Sequence, residues 1–406
     1  MPLQPGHGYM LLPLRAGSVS LRPILSQQFP VFSSSSVGER TVLLVEPFFT
    51  GSHQAWAEGW RQASRHDIHV LAGSGMGWRR SMRTGSTVLA DRTAEWVATH
   101  GSPDLVVGTN MLDLASFLGL SRRLLGPVAA VQFMHENQFS YPRQVGEPLD
   151  SGLAWMQWRS LVVADEIWCN SEYHRRSLLD GLTRLDDGAE TVVDADAIES
   201  KMWVGHLGID VDACRRAVPA SGPRRPLVVS NQRWHHDKDL GSVLRAIRTA
   251  LEQGFDCEVA LLGDPMGGEA DALAPLIDEL GGAVVARGHL PRHEYLDVLR
   301  RADVVVSAAR NENFGLAVVE AIAAGAWPVV PAALAYPEVV PSEFHGSCLY
   351  EPGGLGVRLR EVLGRIAAGE ASPVGLAESM ARFDWAVVAR ALDERVERLL
   401  RRCAAV

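Results

Sequence analysis

The stretch Val304-Val-Val-Ser307-Ala-Ala-Arg-Asn311-Glu312-Asn313-Phe314-Gly315-Leu-Ala-Val-Val-Glu320-Ala-Ile-Ala-Ala324 runs from an apolar segment through a polar loop into a second apolar segment. Val304–Ser307 is predicted as a buried strand, Asn311–Gly315 as the loop, and Phe314–Ala324 as a helix. From Gly315 to Ala324, Glu320 is the one charged residue. A carboxylate on so apolar a helix is costly unless something partners it. Two partners stay open: the ribose diol of a bound nucleotide, or a buried structural salt bridge. A helix opening at Gly315 can also receive a phosphate on free backbone N–H groups.

The same strand–loop–helix unit recurs in both directions. Upstream, Thr41–Val45, Leu105–Val107, Val128–Phe133 and Glu166–Cys169 read as strands, with helices after the loop Phe48–His53 and from Ser171. In the second half Leu227–Ser230, Cys257–Leu262, Ala283–Ala286 and Trp327–Val330 are strands. Helices lie near Gly241–Leu251, Asp271–Leu280 and Arg292–Arg301. Strands alternating with helices give an α/β fold with parallel sheets covered on both faces. The stretch Val218-Pro-Ala-Ser-Gly-Pro-Arg-Arg-Pro226 interrupts the alternation. Two Rossmann-like domains are therefore expected, at 40–218 and 227–384, joined by a linker at 219–226. An amphipathic helix, 385–406, ends the chain. Two such units imply a cleft, with ligands at the carboxyl ends of the strands.

Bulk properties exclude several classes. The 406 residues carry a net charge of −9, so a polyanion partner must use a local patch. The 5 cysteines are odd in number and widely spaced, which argues against a disulfide framework or a zinc site and fits a reducing cytoplasm. Ala321–Pro337 is uncharged but broken by Gly325, Pro328 and Pro331, so no membrane span is read there. Residues 1–39, with Arg15, Arg22 and Ser33–Ser36 ahead of the first acidic residue, are expected to be a disordered leader or to precede the true start.

Four further strings carry candidate chemistry. In Asn231-Gln-Arg233-Trp-His-His-Asp-Lys238, two cations at a strand's carboxyl end suit a diphosphate; a solvated turn is the other reading. Lys238 stands out because only it and Lys201 are lysine among 39 basic residues. His135-Glu136-Asn137-Gln138 faces the cleft after a buried strand, though a lone histidine is often structural. Gly51, in Glu46-Pro-Phe-Phe-Thr-Gly51-Ser52-His53, lets backbone approach a ligand closely. Arg79, Arg80 and Arg83, beside Trp78, suit a nucleic-acid backbone with a stacked base, or are simply solvated.

Together and in this order, Arg233, Lys238, Glu312 and Glu320 resemble the donor site of the GT-B glycosyltransferases of retaining family 4. That resemblance implies that Arg233 and Lys238 hold a diphosphate and Glu320 the donor ribose. It implies that Glu312 with Asn313, Phe314 and Gly315 holds the sugar, and that Arg287-Gly288-His289-Leu290 is the base-binding turn. It also implies a last helix that crosses back to the N-terminal domain.

A closer resemblance runs from about Thr41 to Pro341. It is to the tRNA-queuosine α-mannosyltransferase family, carried by Glu46 with Gly51-Ser52-His53, Trp78-Arg79 and Phe133-Met-His-Glu-Asn-Gln138 with Tyr141-Pro142. Val163-Ala-Asp-Glu-Ile, Asn170-Ser171, Arg233-Trp with His236-Asp-Lys-Asp239, and Tyr336-Pro337-Glu338 complete it. This implies transfer of mannose from GDP-mannose to queuosine in tRNA, with retention and with no metal or other cofactor. Gly51 and Ser52 are then expected at the donor and His135 at the sugar. His53, Glu136, Asn137 and Gln138 are expected at the acceptor, and Arg79, Arg80 and Arg83 on tRNA phosphates. The leaving phosphate would take the acceptor proton, without a covalent glycosyl-enzyme. Rival readings are a transferase for a small or lipid acceptor, a nucleotide-sugar epimerase, and a non-catalytic sugar-nucleotide binder.

Overall fold

The computed structural model describes residues 38–141, 150–185, 194–215, 224–264 and 268–405. The expected leader up to residue 37, and most of the expected linker, lie outside the described residues.

The N-terminal half runs β1 (Thr41–Glu46), α1 (Gly51–Ala63), β2 (Asp67–Ala72), α2 (Trp78–His100), β3 (Leu105–Thr109), α3 (Leu114–Leu125) and β4 (Ala129–Met134). It continues with α4 (Ser151–Val163), β5 (Glu166–Cys169), α5 (Glu172–Leu185), α6 (Ala195–Glu199), β6 (Met202–Val204) and α7 (Val211–Cys214). The strands form a six-stranded parallel sheet in the order β2-β1-β3-β4-β5-β6. Alternation along β1 sends Val42 and Leu44 to one face, against Trp56 and Trp60, and Leu43 and Val45 to the other, against Leu89 and Phe117.

The second half runs β7 (Leu227–Ser230), α8 (Leu240–Glu252), β8 (Glu258–Leu262), α9 (Glu269–Leu280), β9 (Val284–Gly288), α10 (Arg292–Arg301), β10 (Val304–Val306) and α11 (Leu316–Ala323). Then follow β11 (Trp327–Pro331), α12 (Tyr336–Val339), α13 (His345–Cys348), β12 (Leu349–Tyr350), α14 (Leu355–Ala367), α15 (Leu376–Ser379) and α16 (Trp385–Ala404). Its six strands are also parallel, ordered β12-β11-β10-β7-β8-β9. The pair of sheets is the GT-B architecture.

The sequence reading misses β2, β6 and β12, and each has a physical reason. Each lies at a sheet edge and shows only a short or interrupted apolar run: β2 has Asp67 and His69 within it, β6 has three half-buried residues, and β12 has two residues. Helix α2 escapes notice because its buried face is made largely of small and polar residues, including Ser81, Gly85, Ser86 and Thr93.

The last helix, α16, lies on the N-terminal domain. Asp393, buried on it, accepts hydrogen bonds from Trp60 Nε1 at 3.0 Å, Ser64 Oγ at 2.7 Å and the Arg65 N–H at 2.9 Å. Arg395 and Arg402 reach the buried Glu166 of β5 at 2.7 and 2.8 Å. Trp385 fills the space over Gly59 and Gly208, where a Cβ would collide with its ring. One face of α16 thus belongs to a domain that ends nearly two hundred residues earlier. No described helix is long and apolar enough to cross a membrane.

Candidate active site

The carboxyl ends of both sheets face one another, and the candidate residues lie on the loops there. On the N-terminal side, Glu46 ends β1, with Pro47 directly after it. One Glu46 oxygen accepts the Phe48 N–H at 2.7 Å; the other contacts His53 Nδ1 at 2.8 Å. His53 sits in the first turn of α1, and its ring lies 4.2 Å from that of His135. A carboxylate at Nδ1 fixes the proton there and leaves Nε2 to face the cleft. Burial alone would lower the His53 pKa, but the Glu46 charge and hydrogen bond, with Glu136 beyond, outweigh it and raise the pKa. His135 behaves oppositely: burial, His53 and His174 push it well below the usual histidine range.

His135 is locked by its backbone. Its N–H donates to Asn110 Oδ1 at 3.1 Å, and its carbonyl accepts from Asn170 Nδ2 at 3.0 Å. Its Nε2 is buried without a hydrogen-bond partner. A buried imidazole nitrogen without a protein partner suits one that meets a substrate hydroxyl. Glu46, His53 and His135 bring three possible metal-ligand atoms within 4.8 Å of one another. The Glu46 carboxylate is, however, already occupied by Phe48 and His53.

On the donor side, the β7 loop carries Arg233 and Lys238. Arg233 is exposed, forms no ion pair among the described residues, and lies in the field of Glu136, Tyr141, Asp237 and Glu312. It bridges the two domains electrostatically and is free to engage a phosphate. Lys238 is buried; it donates to the Asn311 carbonyl at 2.6 Å and lies 3.3 Å from both Asp237 and Glu312. Burial would raise the Asp237 pKa, but the His235 hydrogen bond and the charges of Lys238 and Arg233 hold it well below the carboxylate range. Gly263, at φ +119, lets the β8 loop pass against the Gln232 carbonyl, where a Cβ would collide.

Both oxygens of Glu312 have partners. Its Oε1 accepts the Gly315 N–H at 3.0 Å, so that N–H is not free for a phosphate. Its Oε2 accepts from Gln232 Nε2 at 3.0 Å, and Gln232 is held in turn by Ser307 and Tyr336. Glu312 is thereby fixed against the start of α11. Glu320 also has partners: Arg292 at 2.6 Å and the Tyr295 hydroxyl at 2.8 Å, both from α10. The salt bridge left open by the sequence is present. It does not remove the ribose reading, because Arg292 is half exposed and can yield. The turn of Gly288 and His289 leads straight into α10, and His289 is exposed on the rim, 3.4 Å from Asp264.

Between the sides, the Asn313 carbonyl accepts from Ser171 Oγ at 2.5 Å, and Asn313 Nδ2 reaches the His135 carbonyl at 3.4 Å. Phe314 is buried beside Phe383 and His206. Gly51 and Ser52 open α1, exposed beside His53. Glu136 is half-buried. Asn137 is buried; its Oδ1 accepts from both Ser140 N and Oγ at 2.9 Å, closing the turn, while its Nδ2 has no protein partner. The Gln138 N–H is tied to Gln157 Oε1 at 2.8 Å.

The arginine cluster begins α2, which packs on Pro47 through Gly85. Arg79 lies 4.3 Å over the Trp78 ring and Arg83 pairs with Asp150 at 2.8 Å, so part of that cluster's charge is spent. Arg80 is exposed. Tyr295, Arg292, Ser307 and Asn110 join the site without standing out in the sequence, whereas Gln232 and Tyr336 lie within strings that did. Each is an ordinary polar side chain whose place in the site depends on packing.

Comparison with known proteins accords with this geometry. Residues 41–208 match the family described as tRNA-queuosine alpha-mannosyltransferase N-terminal, and residues 215–353 match glycosyl transferases group 1. The tRNA-queuosine alpha-mannosyltransferase of Drosophila melanogaster is 26% identical over 314 residues, covering 74% of this chain and 82% of that one. This chain has the N-terminal domain of the tRNA-queuosine α-mannosyltransferase family. Its reaction class is glycosyl transfer. The D-inositol 3-phosphate glycosyltransferase of Mycolicibacterium smegmatis is 35% identical over 212 residues, covering 48% of this chain and 47% of that one. Among solved structures, sucrose-phosphate synthase from Thermosynechococcus elongatus has a TM-score of 0.68 at 16% identity, covering 89% of this chain and 99% of its own. The catalytic domain of starch synthase IV from Arabidopsis thaliana has a TM-score of 0.67 at 12% identity, covering 91% and 100%. Both support the fold of this chain, and nothing finer.

Proposed function

We propose that this protein transfers mannose from GDP-mannose to the cyclopentene diol of queuosine in tRNA, retaining the anomeric configuration and using no metal. The observation that carries the reading is the meeting of two sides in one cleft. The Glu46–His53–His135 cluster and Glu136 come from a domain matching the queuosine family, and they adjoin Arg233 of a glycosyl-transfer domain.

In this reading Arg233 neutralises the departing diphosphate while the C1–oxygen bond to phosphate breaks. The acceptor oxygen bonds C1 on the same face, and its proton passes to the leaving phosphate oxygen. Glu312 and Lys238 keep the Asn313–Gly315 loop against the sugar. Glu320 exchanges Arg292 for the ribose diol. His135 Nε2 meets a sugar hydroxyl, and His53, oriented by Glu46, meets the acceptor. The site works where tRNA is found, in the cytoplasm. A second reading, a small phosphorylated polyol as acceptor, is favoured by the likeness to the inositol phosphate glycosyltransferase.

The test is incubation with radiolabelled GDP-mannose and tRNA with or without queuosine. Label is expected only in the queuosine-containing tRNA. Label in a small polyol phosphate, with none in either tRNA, would overturn the reading.

A further inference from the structure

A second concave surface lies beside the cleft, apart from the Trp78–Arg83 cluster. It is a groove of about 410 Å³ between α5 of the N-terminal domain and the loop after β10. Arg176 and Arg184 line it from α5, Arg310 from the opposite domain. Its polar walls are Ser140, Tyr173, Ser177 and Asn311, and Asp180 is its one carboxylate among the described residues.

We propose that this groove binds the sugar-phosphate backbone of the RNA acceptor, on the reading that the acceptor is tRNA. Charge is the first argument. The chain as a whole is acidic, at −9, so it must hold RNA with a local concentration of cations. Arg176 and Arg184 are exposed and form no ion pair among the described residues. Their neighbour Arg175 differs: it is bound to Glu172 and Glu199, each at 2.7 Å. Arg310 pairs with Asp239 at 2.7 Å but is two-thirds exposed, so its guanidinium keeps donors facing out.

Position is the second argument. Asn311, at one end of the groove, precedes Glu312 and holds Lys238 through its carbonyl. Ser140, at the other end, bonds Asn137 of the His135–Gln138 string and receives the Ser177 hydroxyl at 2.7 Å. The groove therefore touches both the donor loop and the acceptor string and spans both domains. A nucleotide reaching into the cleft would bring its neighbours' phosphates across this surface. A small polyol acceptor would have no use for it.

Spacing is the third. Arg176 and Arg184 are eight residues apart on one helix, about 12 Å along the axis and rotated by roughly 80°, and both line the groove. That suits two phosphates separated by one nucleotide better than a single compact anion.

The experiment measures binding rather than turnover, so it does not depend on the transfer reaction. Fluorescently labelled tRNA is titrated with the full chain over a range of salt. The variants are Arg176→Ala/Arg184→Ala, the charge-keeping Arg176→Lys/Arg184→Lys, and the control Arg122→Ala/Arg123→Ala at the far end of α3. The alanine pair is expected to bind on the order of tenfold more weakly at moderate salt. Its slope of log affinity against log salt should fall by about 1.4, two single-strand phosphate contacts. The lysine pair should keep most of the slope, and the control should match the parent. Equal affinity and slope for parent and alanine pair, or no tRNA binding by the parent, overturns the proposal. If the groove variants lose RNA while the parent never labels tRNA with mannose, it is the proposed reaction that fails, not the groove.

Discussion

The carboxylate of Glu338 caps a helix in the opposite domain, accepting the backbone N–H of Glu172 at 2.9 Å and that of Tyr173 at 3.1 Å. An anion at the amino end of α5 is favoured by the helix dipole and satisfies orphan donors. With the Ser171–Asn313 bond beside it, this contact joins the donor loop to the acceptor domain in the closed arrangement.

Removing that cap should loosen the closure. Glu338→Ala is expected to lose about 1–2 kcal/mol of stability, in the range of other cap deletions, and to raise the apparent KM for donor. Small-angle scattering should register a larger radius of gyration. An unchanged radius together with an unchanged KM would mean that the cap does not hold the domains.

Arg233 and Lys238 should separate by mutation. Arg233→Ala removes an exposed, unpaired cation, so turnover should fall by about 10²–10³-fold with the melting temperature unchanged. Lys238→Ala leaves Asp237 and Glu312 without their buried cation and should cost about 3 kcal/mol of stability as well. Chemical denaturation beside initial rates distinguishes the two; equal stability losses in both variants would contradict the assignment.

Glu320→Ala should weaken binding of the donor nucleotide by at least about tenfold, the worth of a lost charge-assisted pair of hydrogen bonds. Calorimetric titration with GDP reads this directly. Undiminished affinity would mean that Glu320 serves only its salt bridge to Arg292.

The histidines set a pH dependence with opposing signs. His53 has a raised folded pKa, so its contribution is complete below the unfolded value of about 6.5 and is lost as pH rises through the folded one. Glu46→Gln should pull the His53 titration down, visible in its imidazole NMR signals, and flatten that loss. His174, whose pKa burial lowers to about 3, stays neutral in the fold. The unfolded chain takes up its proton below about pH 6.5, so stability falls as pH drops, by up to about 1.4 kcal/mol per pH unit. His174→Asn should have a shallower acid limb in urea midpoints between pH 7 and pH 4; a limb as steep as the parent's would contradict this.

Much of the fold was legible because its signals are local. The central strands β1, β3, β4, β7, β8, β10 and β11 are buried on both faces, so each shows as a continuous apolar run bounded by turn residues. The loops holding Arg233, His135 and Glu312 follow directly on such strands, which is why they could be found. The edge strands β2 and β6 were not legible: His69 interrupts the apolar run of β2, and Met202–Val204 is too short a run to stand out. That the Glu312 side chain turns back to take the Gly315 N–H depends on its tertiary partners Gln232 and Lys238, which no local pattern reveals.

By itself, the sequence determined the alternation of strands and helices, the strings at the strand ends, and the family they resemble. These depend on residues close together in the chain, where spacing and polarity suffice. Tertiary structure alone decided the partners. Glu46 closes on His53 and brings it against His135; Arg292 and Tyr295 reach Glu320; Asp393 returns to Trp60 across 333 residues of sequence. A carboxylate's role depends on which donors surround it, and that is fixed only when the sheets pack and bring distant loops within hydrogen-bond reach.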